Sequence, residues 1–324
     1  MDYSNILIRA TNWVGDAVMC LPALQAIRQR FPQARIAILA KPWVADLYRE
    51  NFVDEVLCYT ARSMKEKMAF AWSLRSRRFD CAILLQNAFE AALVARLAGI
   101  PERIGYKRDG RGMLLTVAVP PPKPGEIPRH QRFYYLELLR RAGLIDGLPV
   151  SDAIRLDGPR VERGRVIGVS PGAAYGSAKR WLPERFAEAA ARVARERNAS
   201  IALFGSKDEH ALCEEVAALL PGLTVTNYAG KTTLAEFIDL AARCEVFLTN
   251  DSGAMHIASA LGVPTVAIFG ATDDAATGPT GSHAVVVRHP VDCSPCLLRE
   301  CPIDHRCMTG VSAERVAEEA LRLL

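Results

Sequence analysis

Short, unbroken apolar runs alternate with helical patterns twice along this chain, and that doubled alternation limits the fold more than any other feature. In the first half the segments 5–10, 34–40, 53–59 and 80–86 read as strands. Helical patterns run from the turn after residue 10 through Arg30, over 44–51 and over 62–77. The runs are apolar throughout rather than alternating, so both faces of the sheet must be covered, which points to parallel strands joined by helices. At 120–128 the texture changes to PPPKPGEIP, where proline forbids regular structure, and a periodic helix follows over 130–142. The polar, Gly/Pro-punctuated stretch 143–164 reads as a linker. The pattern then restarts, with strands over 165–170, 200–204, 223–228, 246–249 and 264–269 and helices over 183–195, 209–220, 234–243 and 254–261. The expected class is α/β: two Rossmann-like doubly wound parallel-sheet domains, 1–155 and 156–324, facing a central cleft, with the last helix able to pack back on the first domain. Neither half carries GxGxxG after its first strand, which weakens a dehydrogenase reading.

Composition agrees with a globular chain, at 50% apolar and 23% charged over 324 residues, a length that suits two cores. No run of about 18 apolar residues is present to span a bilayer. The N-terminus lacks a signal-peptide layout, with Arg9 and Asp16 interrupting the first apolar run, so the chain is expected in the cytoplasm. Net charge is only +4, but residues 62–111 hold eleven Lys/Arg against five acids. Such a surface suits an anionic partner such as phosphorylated lipid, a membrane surface or nucleic acid, although charge alone favours a solvated face of ordinary helices.

Three strand-to-helix junctions carry candidate chemistry. In the first, Thr11-Asn12-Trp13-Val14-Gly15-Asp16, Gly15 would allow a tight turn. Asp16 there reads either as a helix N-cap or as a general base for an attacking hydroxyl. The second runs from Ser170 through Gly172 to Lys179-Arg180, where small residues permit close backbone approach and the cations suit a leaving diphosphate. The third contains Asp251-Ser252-Gly253 and, one turn later, His256. Its helix start offers amides to an anion, Asp251 suits sugar hydroxyls better than phosphate, and His256 reads as a phosphate donor or as a core histidine.

TNWVGD with AVMCLPAL, SPGAAYGSAKRWLPERF and LTNDSGAMHIASALGVPTVAIFG together resemble glycosyltransferase family 9, colinearly from about residue 5 to the C-terminal helix. The resemblance implies a GT-B fold and an inverting, metal-independent transfer of heptose from ADP-L-glycero-D-manno-heptose. The acceptor it implies is the first inner-core heptose of heptosyl-Kdo2-lipid A in lipopolysaccharide, met at the cytoplasmic face of the inner membrane. It makes Asp16 the general base, Lys179 the cation on the departing phosphates and Asp251 the ligand of the donor heptose. Ser252, Gly253 and His256 become the diphosphate cradle, beside Ser170 and Gly172 of the donor loop. An acidic residue after the second strand of the second domain holds the ribose in that family, and Glu209 is taken over Asp208 for it. The basic surface then meets lipid A phosphates and Kdo carboxylates. No nucleic acid and no cofactor is implied, and a monomer is favoured. The alternatives are a family 9 transferase with another core acceptor, or a non-catalytic ADP-sugar- or lipid-binding protein on the same fold.

Of nine cysteines, four crowd into Cys293, Cys296, Cys301 and Cys307, with His305 nearby. That spacing admits a structural zinc knuckle, reduced thiols in a surface hairpin or one disulfide, none of them part of the chemistry.

Overall fold

The computed structural model describes residues 2–48, 52–149, 153–159 and 161–324. The chain divides into two compact units, Met1–Val150 and Ser151–Leu324. The first contains a six-stranded parallel sheet of β1 (Asn5–Arg9), β2 (Arg35–Ala40), β3 (Glu55–Cys58), β4 (Cys81–Leu84), β5 (Glu102–Tyr106) and β6 (Val117–Val119), in the order β3-β2-β1-β4-β5-β6. Its helices are α1 (Val14–Met19), α2 (Leu21–Arg30), α3 (Met64–Arg75), α4 (Phe89–Leu97) and α5 (Arg132–Arg141). The second unit repeats the plan. Strands β7 (Val166–Ser170), β8 (Ser200–Leu203), β9 (Val225–Asn227), β10 (Val246–Asn250), β11 (Thr265–Phe269) and β12 (Ala284–Arg288) lie in the order β12-β11-β10-β7-β8-β9. Its helices are α6 (Pro183–Arg197), α7 (His210–Ala218), α8 (Leu234–Ala242), α9 (Gly253–Ala260), α10 (Asp274–Thr277), α11 (Arg306–Thr309) and α12 (Ala313–Arg322). Counted from its own first strand, each sheet has the Rossmann order 3-2-1-4-5-6, which reverses beside that first strand.

Apolar runs set the central strands: β10 and β11 are buried at every position, and β1 at all but its first residue. Strands β5, β6 and β12 lack that signature. They are short, partly charged or half-buried, and periodicity does not announce them. The helix expected from the first turn through Arg30 is broken at Cys20. Pro22 has no N–H to continue the ladder, so α2 starts afresh with proline in its first turn. The pattern at 44–51 becomes a 3-10 helix over Pro42–Tyr48, and residues 49–51 lie outside the described residues. Helix α6 has proline at its start and left-handed Asn198 at its end, and it packs its alanine-rich face against α12 in the same unit. Within the stretch expected to be a linker, residues 150–152 and 160 are outside the described residues. Ile154 N donates to Thr280 Oγ1 (2.8 Å) and Leu156 N to Ala260 O (3.0 Å), tying those residues to the second unit. Among the described residues no helix is long and apolar enough to cross a membrane.

Gly168, in the middle of β7, faces the Phe247 ring of the adjacent β10 so closely that an added Cβ would lie 2.4 Å from Cδ2 of that ring and 2.9 Å from Cys244 Sγ. Phe247 belongs to an aromatic cluster with Phe204 and Phe237, which limits its retreat. Gly168→Ala is therefore expected to destabilise the second unit by about 1–3 kcal/mol through overpacking. A urea melt followed by tryptophan fluorescence checks this, and an unchanged midpoint would contradict it.

Candidate functional site

In the first unit the strand order reverses between β1 and β4, and the loops leaving their C-terminal ends diverge there. A cavity of about 320 Å³ opens at that point, lined by Asn12, Trp13 and Asp16 after β1, Gln86 and Asn87 after β4, and Tyr134 and Tyr135 of α5. Asp16 is not the helix cap. Trp13 occupies the N-cap position without a side-chain bond, and Asp16 is the third residue of α1. Gly15 likewise lies inside the first turn of α1 rather than in a tight turn before it. The buried Tyr135 hydroxyl donates to Asp16 Oδ1 at 2.8 Å. Burial and the Asp16 charge hold the Tyr135 phenol well above its ordinary pKa, so it stays a donor and fixes one carboxylate oxygen.

Two buried guanidinium groups, not anticipated from the sequence, hold the walls of this cavity. Arg9 at the end of β1 donates from Nη1 to Ala10 O (2.7 Å) and Leu39 O (3.1 Å), and from Nη2 to Asn12 Oδ1 (3.1 Å). Arg111 donates from Nε to Tyr106 O (2.9 Å), from Nη2 to Asn87 Oδ1 (2.9 Å) and from Nη1 to Gln86 O. Asn87 Nδ2 in turn donates to the Tyr134 hydroxyl at 2.8 Å. Burial pulls both arginines down to about 10, which leaves them cationic at neutral pH. The one available signal was Arg9, a charge closing an otherwise apolar central strand.

In the second unit the reversal falls between β7 and β10, and it brings together the other two junctions. Asn250, fully buried, fastens them: its Oδ1 accepts from Trp181 N (2.9 Å) and its Nδ2 donates to Pro171 O (2.7 Å). Lys179 Nζ meets Asp251 Oδ2 at 2.5 Å, with both side chains largely buried, and Thr272 Oγ1 donates to the same oxygen at 2.6 Å. The sequence assigned these two residues to different parts of a donor, whereas the structure pairs them with each other. Ser252 caps α9, its Oγ accepting from Met255 N and lying 3.2 Å from Thr249 Oγ1. That leaves the amides of Gly253 and Ala254 without an acceptor inside the helix, at its positive end. His256 is buried in the same first turn. Ser170 ends β7, buried beside Thr249.

Glu209 reaches Gly172 so closely that a Cβ there would lie 2.1 Å from Glu209 Oε1. Its other oxygen accepts from Ser206 N at 2.8 Å, while Asp208 is exposed. Glu209 rather than Asp208 therefore borders the donor loop. Its helix starts one residue later than expected, at His210.

The cysteine-rich segment packs on that same loop. Ala178 N donates to Arg299 O (3.0 Å), His305 Nε2 to Ala178 O (3.0 Å) and the Tyr175 hydroxyl to Leu297 O (2.9 Å). All four cysteines are free thiols. Burial pushes the Cys307 thiol up. Among the described residues no group of three His, Cys, Asp or Glu side chains, those of Cys293, Cys296, Cys301 and Cys307 included, is placed to hold a metal ion.

The sequence model of glycosyltransferase family 9 (heptosyltransferase) matches residues 67–306. The chain is 33% identical to lipopolysaccharide heptosyltransferase 2 of Escherichia coli K12 over 87% of each protein. It is 29% identical to lipooligosaccharide heptosyltransferase 2 of Campylobacter jejuni over 98% of each. Among solved structures it resembles the E. coli ADP-heptose lipopolysaccharide heptosyltransferase II, with a TM-score of 0.84, 30% identity and 98% of each chain covered. Two Rossmann-order sheets with loops of this kind at both reversal points, together with these matches, place the chain in one family: it belongs to glycosyltransferase family 9, the heptosyltransferases.

Proposed function

We propose that the chain transfers L-glycero-D-manno-heptose from ADP-heptose, with inversion, to the first inner-core heptose of heptosyl-Kdo2-lipid A. The observation that carries this reading is the carboxylate of Asp16, pinned by Tyr135 in a polar cavity at a strand-order reversal, where a sugar hydroxyl has donors and acceptors on several sides. The type 2 naming of relatives near 30% identity supports the second-heptose acceptor.

The first unit serves the acceptor. As the acceptor oxygen attacks the anomeric carbon, its proton passes to Asp16, and the bond from that carbon to the ADP oxygen breaks. The second unit serves the donor. Lys179 and the amides at the start of α9 meet the charge that grows on the departing diphosphate. His256, in the same turn, donates to it. Asp251, held by Thr272, accepts from heptose hydroxyls once Lys179 turns to phosphate, so the ligand-free ion pair is exchanged for two substrate contacts. Glu209 accepts from the ribose beside Gly172, and Ser170 and Gly172 let the backbone approach the nucleotide.

Three outcomes follow. Asp16→Asn keeps the shape of the group and removes the base, so kcat should fall roughly 10²–10⁴-fold while ADP affinity is retained. Near-normal turnover would return Asp16 to a structural role. Lys179→Ala should weaken ADP binding roughly 10- to 150-fold, the worth of one charge-assisted hydrogen bond, and slow transfer as well. It also leaves Asp251 buried without its cation, so the melting temperature should drop, and calorimetry belongs well below it. Unchanged ADP affinity would remove Lys179 from the donor site. Finally, turnover should survive excess EDTA. The adjacent acids nearest a strand end are both engaged, Asp273 capping Ala275 N (3.1 Å) and Asp274 paired with Arg288 (2.5 Å). Activity lost with the fold intact and restored by Mg²⁺ would overturn a metal-independent transfer.

A further inference from the structure

We propose that the outward face of α3 docks the protein on an anionic lipid surface. This helix has two apolar faces, and one core can use only one of them. Ala71 and Leu74 are buried, and the Phe70 ring lies 5.0 Å from that of Tyr59, so the inward face is made by those residues with Lys67. Met64, Met68 and Trp72 recur every fourth residue on another face and remain 58%, 44% and 60% exposed. At a helical 100° per residue they fall within a sector of about 80°, a continuous stripe two turns long. Exposed Met and Trp in register form a patch that ordinary surfaces avoid.

The charge around the stripe selects the partner. Residues 62–78 contain six Lys/Arg and one acid; Lys67 is paired with Glu90 and Arg77 with Glu55, so the cations that bear on the stripe are Arg62, Lys65, Arg75 and Arg78. Arg75 falls inside the stripe's sector, its guanidinium 4.9 Å from the Trp72 ring, and Lys65 lies at its edge. The single acid, Glu66, points to the opposite side, its carboxylate held by the amides of Arg62 (2.7 Å) and Ser63 (3.2 Å). Beside the Phe70–Tyr59 contact sits Lys41, with Nζ 4.4 Å from the Tyr59 ring and 5.9 Å from that of Trp43, itself 58% exposed. Methionine and tryptophan that enter the acyl boundary, ringed by cations whose long stems reach headgroups, match an anionic interface. A second copy of the chain fits poorly, because a self-complementary contact would bring two basic rims together.

This deepens the lipid-acceptor reading above, and its primary test, vesicle binding, needs neither donor nor acceptor. The full chain is sedimented with vesicles of phosphatidylcholine alone and of phosphatidylcholine mixed with phosphatidylglycerol. The wild type should bind the mixed vesicles, bind the neutral ones far less, and lose binding as salt rises. Combining Met64→Ser, Met68→Ser and Trp72→Ser should cut binding at least about tenfold with an unchanged melting temperature, while Trp72→Phe retains it. Turnover of the triple variant on a delipidated heptosylated acceptor should equal that of the wild type. Failure of the wild type to bind mixed vesicles, or equal binding by the triple variant, overturns the proposal. A triple variant that dissociates a dimer and binds vesicles normally overturns it in favour of self-association. Vesicle binding by a chain that transfers to no acceptor would leave this proposal standing and remove the reading it deepens.

Discussion

In each unit a parallel sheet grows outward in both directions from one central strand, and the rest of the structure depends on that reversal of order. Connections on the two sides of the reversal leave on opposite faces, so the loops after β1 and β4, and after β7 and β10, cannot close over one another. An opening at the strand ends is thus a consequence of topology, before any residue is chosen. What the sequence adds is a means of keeping each opening in shape. In the first unit this falls to Arg9 and Arg111, whose buried guanidinium groups bind six backbone or side-chain oxygens on the flanking strands and loops. In the second it falls to Asn250, which bonds to both sides of the β7 loop through one amide.

The charged groups of the two sites are held differently, and the difference suits the roles proposed for them. Asp16 is anchored through one oxygen by a neutral phenol, which orients it without neutralising it, as the proposed general base requires. Asp251 is neutralised by Lys179, which avoids a buried unpaired carboxylate. In the proposed reaction the diphosphate and the heptose would supply each partner with a replacement, offsetting the cost of separating the pair. The loop carrying Lys179 is braced by backbone and side-chain bonds from the cysteine-rich segment, and Gly176 allows the Arg299 carbonyl to approach where a Cβ would lie 2.1 Å away.

Much of this was legible in the sequence because buried parallel strands have an unmistakable texture. Residues such as Ile6–Ile8 and Val246–Leu248 announce a sheet covered on both faces. The edge strands were not legible: β5 begins with Glu102 and Arg103, and β6 is three residues long, so neither shows a period. The three junctions were visible as glycine, small and charged residues at strand ends, yet their partners were not. Nothing local joins Asp16 to Tyr135, 119 residues away, or Arg111 to Asn87. The Lys179–Asp251 pair was hidden for the same reason, since its closure depends on β7 and β10 being neighbours. The spacing of Cys293, Cys296, Cys301 and Cys307 suggested a metal knuckle, but spacing fixes how far apart thiols lie along the chain and not how they are aimed.

The central claim concerns the acceptor, and the release of ADP tests it most directly. Purified protein with ADP-heptose is given heptosyl-Kdo2-lipid A in one reaction and Kdo2-lipid A in another, and free ADP is followed over time. The account predicts ADP release with the heptosylated acceptor and only a hydrolytic background with the other. Release driven equally well by Kdo2-lipid A, or by neither acceptor, would contradict it.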